Sequence, residues 1–353
     1  MSMNTTTKVI CTLGPASWSD EGMEKLLSSG MAIARFNFSH AWTHDARAFQ
    51  KTKMLAVKEM AKKMGKACAL ALDTKGPDVR IGVFKDPSVI VKAGQTFKFY
   101  FGEKNSKLLG DVNGVFVDYE KLLTIAKVGC QFALNDGHVI MDITDIADSI
   151  ITATVTSGGE LKNNKSLAMP GYDLQLPFIS DYDAIDFKLG IDAGVDWIFA
   201  SAVARKKDLI ELRALLDAIG GKEIKILSKI EDRIGIENLD DIIKLSDGVM
   251  VARGGLGTDI GLDKLPSWQK HIVATSRRHK KLVVVATEMM ESMTEKPNCT
   301  RAEASDVANA VWDGADFVML SSETAAGKYP AETVQFVYKI IEDAEKNKQY
   351  YRV

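Results

Sequence analysis

The chain has 353 residues, 46% of them hydrophobic and 26% charged, and a formal net charge of -2. That length can bury a large core, and the near-neutral balance lacks the basic excess that phosphate-backbone binding demands, which argues against nucleic acid as the main partner. Four cysteines, Cys11, Cys68, Cys130 and Cys299, stand far apart with no CxxC or Cys/His cluster, which argues against a zinc site and a disulfide framework.

At the N-terminus, the stretch MSMNTTTKVICTLG has no signal-peptide apolar core. No apolar run approaches the length of a membrane span, so the expectation is a cytoplasmic protein with no membrane partner. Short apolar runs bounded by turn residues follow in a regular series: Val9–Leu13, Ala32–Phe38, Ala67–Leu72, Trp197–Ala200, Ile224–Ile230, Val249–Ala252, Leu282–Ala286 and Phe317–Leu320. Amphipathic stretches of helical period separate most of them, at Asp20–Ser29, Thr43–Met64, Asp181–Ala193, Lys207–Ile219, Ser267–Arg278, Ala302–Trp312 and Ala331–Lys346. Strand signals alternating with helices in this way predict an α/β fold, a (β/α)8 TIM barrel. An open doubly wound sheet would more often carry a glycine fingerprint after its first strand, where this chain reads Gly14-Pro15-Ala16-Ser17.

One interval breaks the rhythm. From about Asp78 to Pro170 the pattern turns to short alternating strands, such as Ser88–Val91, Thr96–Tyr100 and His138–Ile143. Turn signals stand at Ala93-Gly94, Asn135-Asp136-Gly137 and Ser157-Gly158-Gly159. The expected organisation is a barrel built from residues 1–77 and 171–353, with an all-β domain inserted at 78–170. Because βα loops ring the active-site face of a barrel, that insertion reads as a lid.

Carboxyl ends of barrel strands should converge on one pocket. They carry Arg35, Asn37, Ser39 and His40, then Asp73, Thr74 and Lys75, then Ser201, Lys229, Glu231, Arg253, Thr287, Glu288, Ser321 and Glu323. Hard oxygen donors such as Asp73, Glu231, Asn37 and Ser39 suit magnesium or an alkali cation, while Arg35, Lys229 and Arg253 suit phosphate or carboxylate. A phosphorylated acid held by metal fits that mixture, and phosphoryl transfer needs mainly alignment and charge neutralisation. The run Arg253-Gly254-Gly255-Leu256-Gly257 reads as an anion-binding turn or as glycines placed for tight packing. Thr300, with Glu303 three residues on, reads as a capped helix start.

Taken in order, TKVICTLGPAS at Thr7, ARFNFSH at Ala34, LDTKGPDVRIG at Leu72, SKIED at Ser228, DGVMVARGGLG at Asp247, ATEMMESM at Ala286, TRAEASDVANAVWDGAD at Thr300 and MLSSETAAGKYP at Met319 resemble the pyruvate kinase family over nearly the whole chain. The resemblance implies a barrel with an inserted β lid, and phosphate transfer from phosphoenolpyruvate to ADP giving pyruvate and ATP, with Mg2+ or Mn2+ and K+. By motif it implies Lys229 and Arg35 at the transferred phosphate, and Thr287 near the enolate carbon that receives a proton. Ala252, Arg253, Gly254 and Gly255, with Thr287, would face the substrate. Glu231 would bind the divalent ion, Asn37, Ser39, Asp73 and Thr74 would bind potassium, and His40, Arg80 and Lys165 would face the nucleotide. Asp78 would favour potassium dependence.

Departures from the family pattern fall near the chemistry. Its ARGDLG motif supplies a second carboxylate to the divalent ion, and this chain has Gly255 there, so the implied metal site is weakened. Glu288 replaces the usual glutamine, Ser201-Ala202-Val203-Ala204 stands where SFVR is usual, and NNKSLAMPG loses an asparagine. The sequence ends with the barrel, so effector control through the family's C-terminal domain is expected to be missing, with a homo-oligomer through the barrel domain as a candidate assembly. Three readings follow from the resemblance and its departures: an impaired phosphotransferase, metal-dependent enolate chemistry on a 2-oxo acid (decarboxylase, aldolase or tautomerase type), or a non-catalytic regulatory pseudokinase.

Overall fold

A computed structural model describes residues 5–41, 43–135 and 137–351. The chain divides into two compact units, one made of Met1–Gly76, Phe178–Leu256 and Asp263–Val353, the other of Pro77–Pro177 and Gly257–Leu262. The first is a closed barrel of parallel strands: β1 Lys8–Thr12, β2 Met31–Asn37, β3 Ala69–Asp73, β4 Trp197–Ala200, β5 Lys225–Ile230, β6 Gly248–Ala252, β7 Leu282–Ala286 and β8 Phe317–Leu320, with β8 pairing back onto β1. The helices outside Pro77–Pro177 are α1 Asp20–Ser28, α2 His44–Lys63, α3 Asp181–Ala193, α4 Lys206–Ala218, α5 Arg233–Glu237, α6 Leu239–Leu245, α7 Arg253–Ile260, whose residues from Gly257 on fall in the second unit, α8 Leu265–Arg278, α9 Arg301–Asp313, α10 Ser322–Ala325 and α11 Pro330–Lys346. The expected α/β barrel is therefore the observed one, with strand and helix ends displaced from the sequence reading by one or two residues where they differ at all.

Side chains alternate across a strand, so every second residue of each barrel strand faces the interior. Ile10, Ile33, Ala71, Phe199, Leu227, Met250, Val284 and Met319 form that apolar filling. Continuing the same alternation by two residues toward the carboxyl ends reaches Thr12, Arg35, Asp73, Ser201 and Lys229. Packing parity alone thus delivers a polar cluster to one mouth of the barrel.

Local chemistry fixes the helices. Ser19 and Thr43 accept backbone N–H bonds at the starts of α1 and α2, and complete capping boxes pair Ser180 with Asp183 at α3 and Thr300 with Glu303 at α9. Gly194 and Gly314 end α3 and α9 in the left-handed conformation. No helix among the described residues is long and apolar enough to cross a membrane.

In the second unit, a seven-stranded sheet runs in the order Val79–Arg80, Ser166–Ala168, Gln131–Leu134, Val139–Ala147, Ile150–Ser157, Thr96–Tyr100 and Gly114–Phe116, beside a two-stranded pair of Ser88–Val91 and Gly159–Lys162. Phe97, Phe99 and Phe132 meet edge to face in its own core, with centroids 5.3 Å and 5.0 Å apart. Leu174 and Leu176 pack on this core, and Gly171 N donates to Asp259 Oδ1 at 2.7 Å, which explains why Gly257–Leu262 belongs to this unit. Asn135 (φ 52°) and Gly137 (φ 84°) are left-handed, as a tight turn needs, while Asp136 between them lies outside the described residues.

Candidate functional site

The inward residues at the ends of β2, β3, β4 and β5 form one buried network. Arg35 Nε donates to Asp73 Oδ2 at 2.6 Å and its Nη1 to Thr12 Oγ1 at 2.9 Å. Lys229 Nζ has three partners: Asp73 Oδ1 at 3.0 Å, Ser201 Oγ at 2.8 Å and Glu231 Oε1 at 3.0 Å. An ammonium has three N–H donors, so all of them are occupied. Ser201 is itself fixed, since its N–H donates to Thr74 Oγ1 at 3.0 Å and its hydroxyl lies 2.8 Å from Thr74 O and 3.2 Å from Asp73 Oδ1. Gly76 makes room for it: at φ 69°, a Cβ there would come within 2.6 Å of Ser201 Cβ.

Two cations and two carboxylates balance in this cluster. Burial would raise the Asp73 carboxyl, but Arg35 and then Lys229 outweigh it and hold Asp73 below the ordinary carboxylate value. Burial likewise disfavours the Lys229 ammonium, and Asp73 followed by Glu231 overcomes it, so Lys229 stays above the ordinary lysine value. Side-chain exposure is 1% for Asp73 and 23% for Glu231, which makes Glu231 the one partner of Lys229 that opens to solvent.

Across from Glu231, at the start of α7, lies residue 255. A Cβ on Gly255 would stand 3.2 Å from Glu231 Cβ and 3.6 Å from Glu231 Oε2, so a side chain there would run beside the carboxylate. As glycine it supplies no donor, and no group of three His, Cys, Asp or Glu suited to a metal occurs among the described residues. A divalent ion needs several oxygen ligands, commonly one or two of them carboxylates. Glu231 alone, already paired with Lys229, does not complete such a site. For an alkali cation the donor types at the ends of β2 and β3 are suitable hard oxygens. Asn37 Oδ1 accepts from Ser39 N at 3.1 Å, Asp73 and Thr74 are held as described, and Asn37 pairs with Asp73 across the strands.

The glycine run at 253–257 is helical, not a turn, because α7 starts directly at Arg253. Its arginine is already committed within the protein. Arg253 Nε lies 3.1 Å from both Ala286 O and Thr287 O, Nη2 donates to Thr287 O at 2.5 Å, and Nη1 to Asp306 Oδ2 at 2.6 Å. Those carbonyls belong to an unusual backbone. Thr287 and Glu288 have φ of 79° and 53°, and left-handed conformations at non-glycine residues cost roughly 1–3 kcal/mol each and concentrate at functional sites. Ala202, next to Ser201, shares the property at φ 51°.

Other predicted positions divide between the two units. Ala252 is buried at the end of β6, and Gly254 follows it in α7. Glu288 is exposed, while Glu323 is fully buried and accepts from Met290 N at 3.0 Å and Ser321 N at 2.7 Å, so it staples the loops after β7 and β8. Its carboxyl is raised chiefly by burial. Arg80 and Lys165 lie in the β unit, where Arg80 pairs with Asp78 at 2.5 Å and donates to Asn164 O at 2.8 Å. The side chain of His40 lies outside the described residues. Thr12, Gln269 and Asp306 were not expected at the site. Thr12 was legible as the last inward residue of β1, whereas nothing in the spacing ties α8 and α9 to Arg253.

A closed parallel barrel wrapped by helices, with balanced buried charge at its strand ends, is a (β/α)8-barrel protein whose candidate site lies at the carboxyl face. Residues 4–334 match the family described as "Pyruvate kinase, barrel domain". The chain is 41% identical over 346 residues to the pyruvate kinase of Staphylococcus saprophyticus, covering 98% of this chain and 58% of that protein. It is also 41% identical to those of Sporosarcina psychrophila, covering 95% and 56%, and Bacillus licheniformis, covering 96% and 57%. This chain belongs to the pyruvate kinase family, and it spans less than three fifths of the length of these relatives.

Proposed function

We propose that this chain binds phosphoenolpyruvate or pyruvate together with ADP or ATP and carries out phosphoryl transfer of the pyruvate kinase type, slowed by Gly255. The Arg35, Asp73, Lys229 and Glu231 network carries the reading. Lys229 would exchange its solvent-open bond to Glu231 for a phosphoryl oxygen, and Arg35 would offer the unspent edge of its guanidinium to the same group. Both cations are held by Asp73 before the ligand arrives, so little reorganisation remains at the moment of transfer. Thr287 is the candidate beside the enolate carbon, and Ala252, Gly254 and Gly255 are the candidates lining the substrate. His40, Arg80 and Lys165 are the nucleotide candidates.

Potassium is proposed at Asn37, Ser39, Asp73 and Thr74. Magnesium or manganese is proposed as a weak co-ligand with Glu231 as its one protein carboxylate. A cytoplasmic location and self-association through the barrel belong to the same reading, and sedimentation checks the second.

The test compares the parent with Gly255→Asp and Lys229→Met in a coupled assay with phosphoenolpyruvate, ADP, Mg2+ and K+. Turnover in the parent above Lys229→Met, and a gain of ten-fold or more in Gly255→Asp, are expected, ten-fold being about 1.4 kcal/mol off the activation barrier. Parent turnover no higher than Lys229→Met would sink the proposal and leave the enolate and pseudokinase readings. A Mn2+ titration followed by electron paramagnetic resonance should show tighter ligand-free binding in Gly255→Asp than in the parent.

Glu288 favours one second reading. An exposed carboxylate directly after Thr287, in the same left-handed stretch, is an acid or base candidate for enolate chemistry on a 2-oxo acid. Exchange of pyruvate methyl protons in deuterated water that Glu288→Gln abolishes, without phosphoryl transfer in the parent, would select it.

A further inference from the structure

We infer that Arg253 is a positioning residue and not an anion ligand: with Asp306 behind it, it clamps the left-handed Thr287–Glu288 backbone and so sets where Thr287 meets the substrate. The inference rests on the proposed role of Thr287 beside the enolate carbon.

Three successive carbonyls, of Ala286 at the end of β7 and of Thr287 and Glu288 just beyond it, all lie within reach of Arg253. Its Nε reaches Ala286 O and Thr287 O, and its Nη2 reaches Thr287 O and, at 3.3 Å, Glu288 O. The opposite edge of the fork is anchored on α8 and α9, through Gln269 Oε1 at 3.3 Å and Asp306 Oδ2 at 2.6 Å. Only a planar guanidinium can bridge both sides at once, since an ammonium is a point donor. The arginine side chain is 12% exposed, so it has little surface left to offer a ligand.

Gly254 completes the device. A Cβ at that position would stand 3.3 Å from Thr287 Cγ2, so the residue after the clamp also leaves room for the threonine methyl. A β-branched residue at φ 79° persists only where its surroundings over-determine it. Here the surroundings are the first two residues of α7.

The experiment uses Arg253→Lys and the milder Asp306→Asn, each alone and combined with Glu288→Gly, which removes a left-handed penalty that the clamp otherwise offsets. Oxalate affinity by calorimetry, the maximal rate of pyruvate methyl-proton exchange and the thermal midpoint are read for each. A positioning role predicts that the exchange rate falls about ten-fold in Arg253→Lys, equivalent to about 1.4 kcal/mol, while oxalate affinity stays within about two-fold. It also predicts that Glu288→Gly raises the midpoint more in the Arg253→Lys background than in the parent.

Oxalate affinity lost ten-fold or more with the exchange rate unchanged would make Arg253 a ligand and overturn the inference. Equal effects of Glu288→Gly in both backgrounds would overturn it as well. If the parent shows no exchange at all, the reading of Thr287 fails, and the midpoints still decide whether Arg253 holds this backbone.

Discussion

Replacing Asp73 by Asn would leave Arg35 and Lys229 with Glu231 as their one remaining carboxylate, in a site where the replaced side chain was 1% exposed. Leaving a buried charge uncompensated costs about 3–5 kcal/mol, and a loss of that order is expected in denaturant melts at neutral pH. The pH dependence has a definite sign. Because the folded Asp73 carboxyl lies below its ordinary value of 3.8, its contribution is fully present above 3.8 and is lost as pH falls from there through the lower folded value. Melts repeated at falling pH should therefore show a shallower acid limb in Asp73→Asn than in the parent. An identical limb would mean that Asp73 is not held by its two cations. This network was partly readable in advance: Arg35, Asp73, Ser201, Lys229 and Glu231 all stand at predicted strand ends. Their pairing was not, since spacing along the chain cannot say that one lysine reaches Asp73 and Glu231 together.

At the scale of elements, α9 offers a clean test. Thr300 and Glu303 share reciprocal bonds at its start, and Glu303 also accepts from Ser292 N at 2.7 Å, tying the loop after β7 to the helix. Thr300→Ala should cost about 1 kcal/mol, read as a lower melting midpoint with faster amide exchange in the first turn of α9. Burial penalises the Glu303 carboxylate, and the bonds from Ser292 and Thr300 together outweigh that penalty and lower its pKa.

Most elements were legible because their periodicities are undisturbed. Trp197–Ala200, Leu282–Ala286, Phe317–Leu320 and Asp181–Ala193 coincide with the sequence reading residue for residue. Helix α7 was not legible, since three of its first five residues are glycines and its apolar pattern is weak. The left-handed Thr287–Glu288 stretch was equally hidden, because neither residue type advertises a positive φ.

For the whole molecule, the two units have separate hydrophobic cores, one filling the barrel and one within the β unit. Phe99 is fully buried in the second and meets two other rings. Phe99→Ala should destabilise that unit by about 3–5 kcal/mol. Hydrogen exchange resolved by peptide should place the loss of protection within residues 77–177, with β1 to β8 unchanged. Loss spread evenly over both units would show that they unfold as one.

Lys229 spends every N–H on Asp73, Ser201 and Glu231, and this makes the resting site chemically masked. An amine held as ammonium above its ordinary pKa, with no donor to spare, is a poor target for acylating reagents. Mass-spectrometric footprinting of the ligand-free chain should leave Lys229 among its least modified lysines, while surface lysines react. Any ligand or cation that draws Glu231 away would unmask it, so the labelling rate of a single residue becomes a reporter of occupancy that works whether or not the chain turns over.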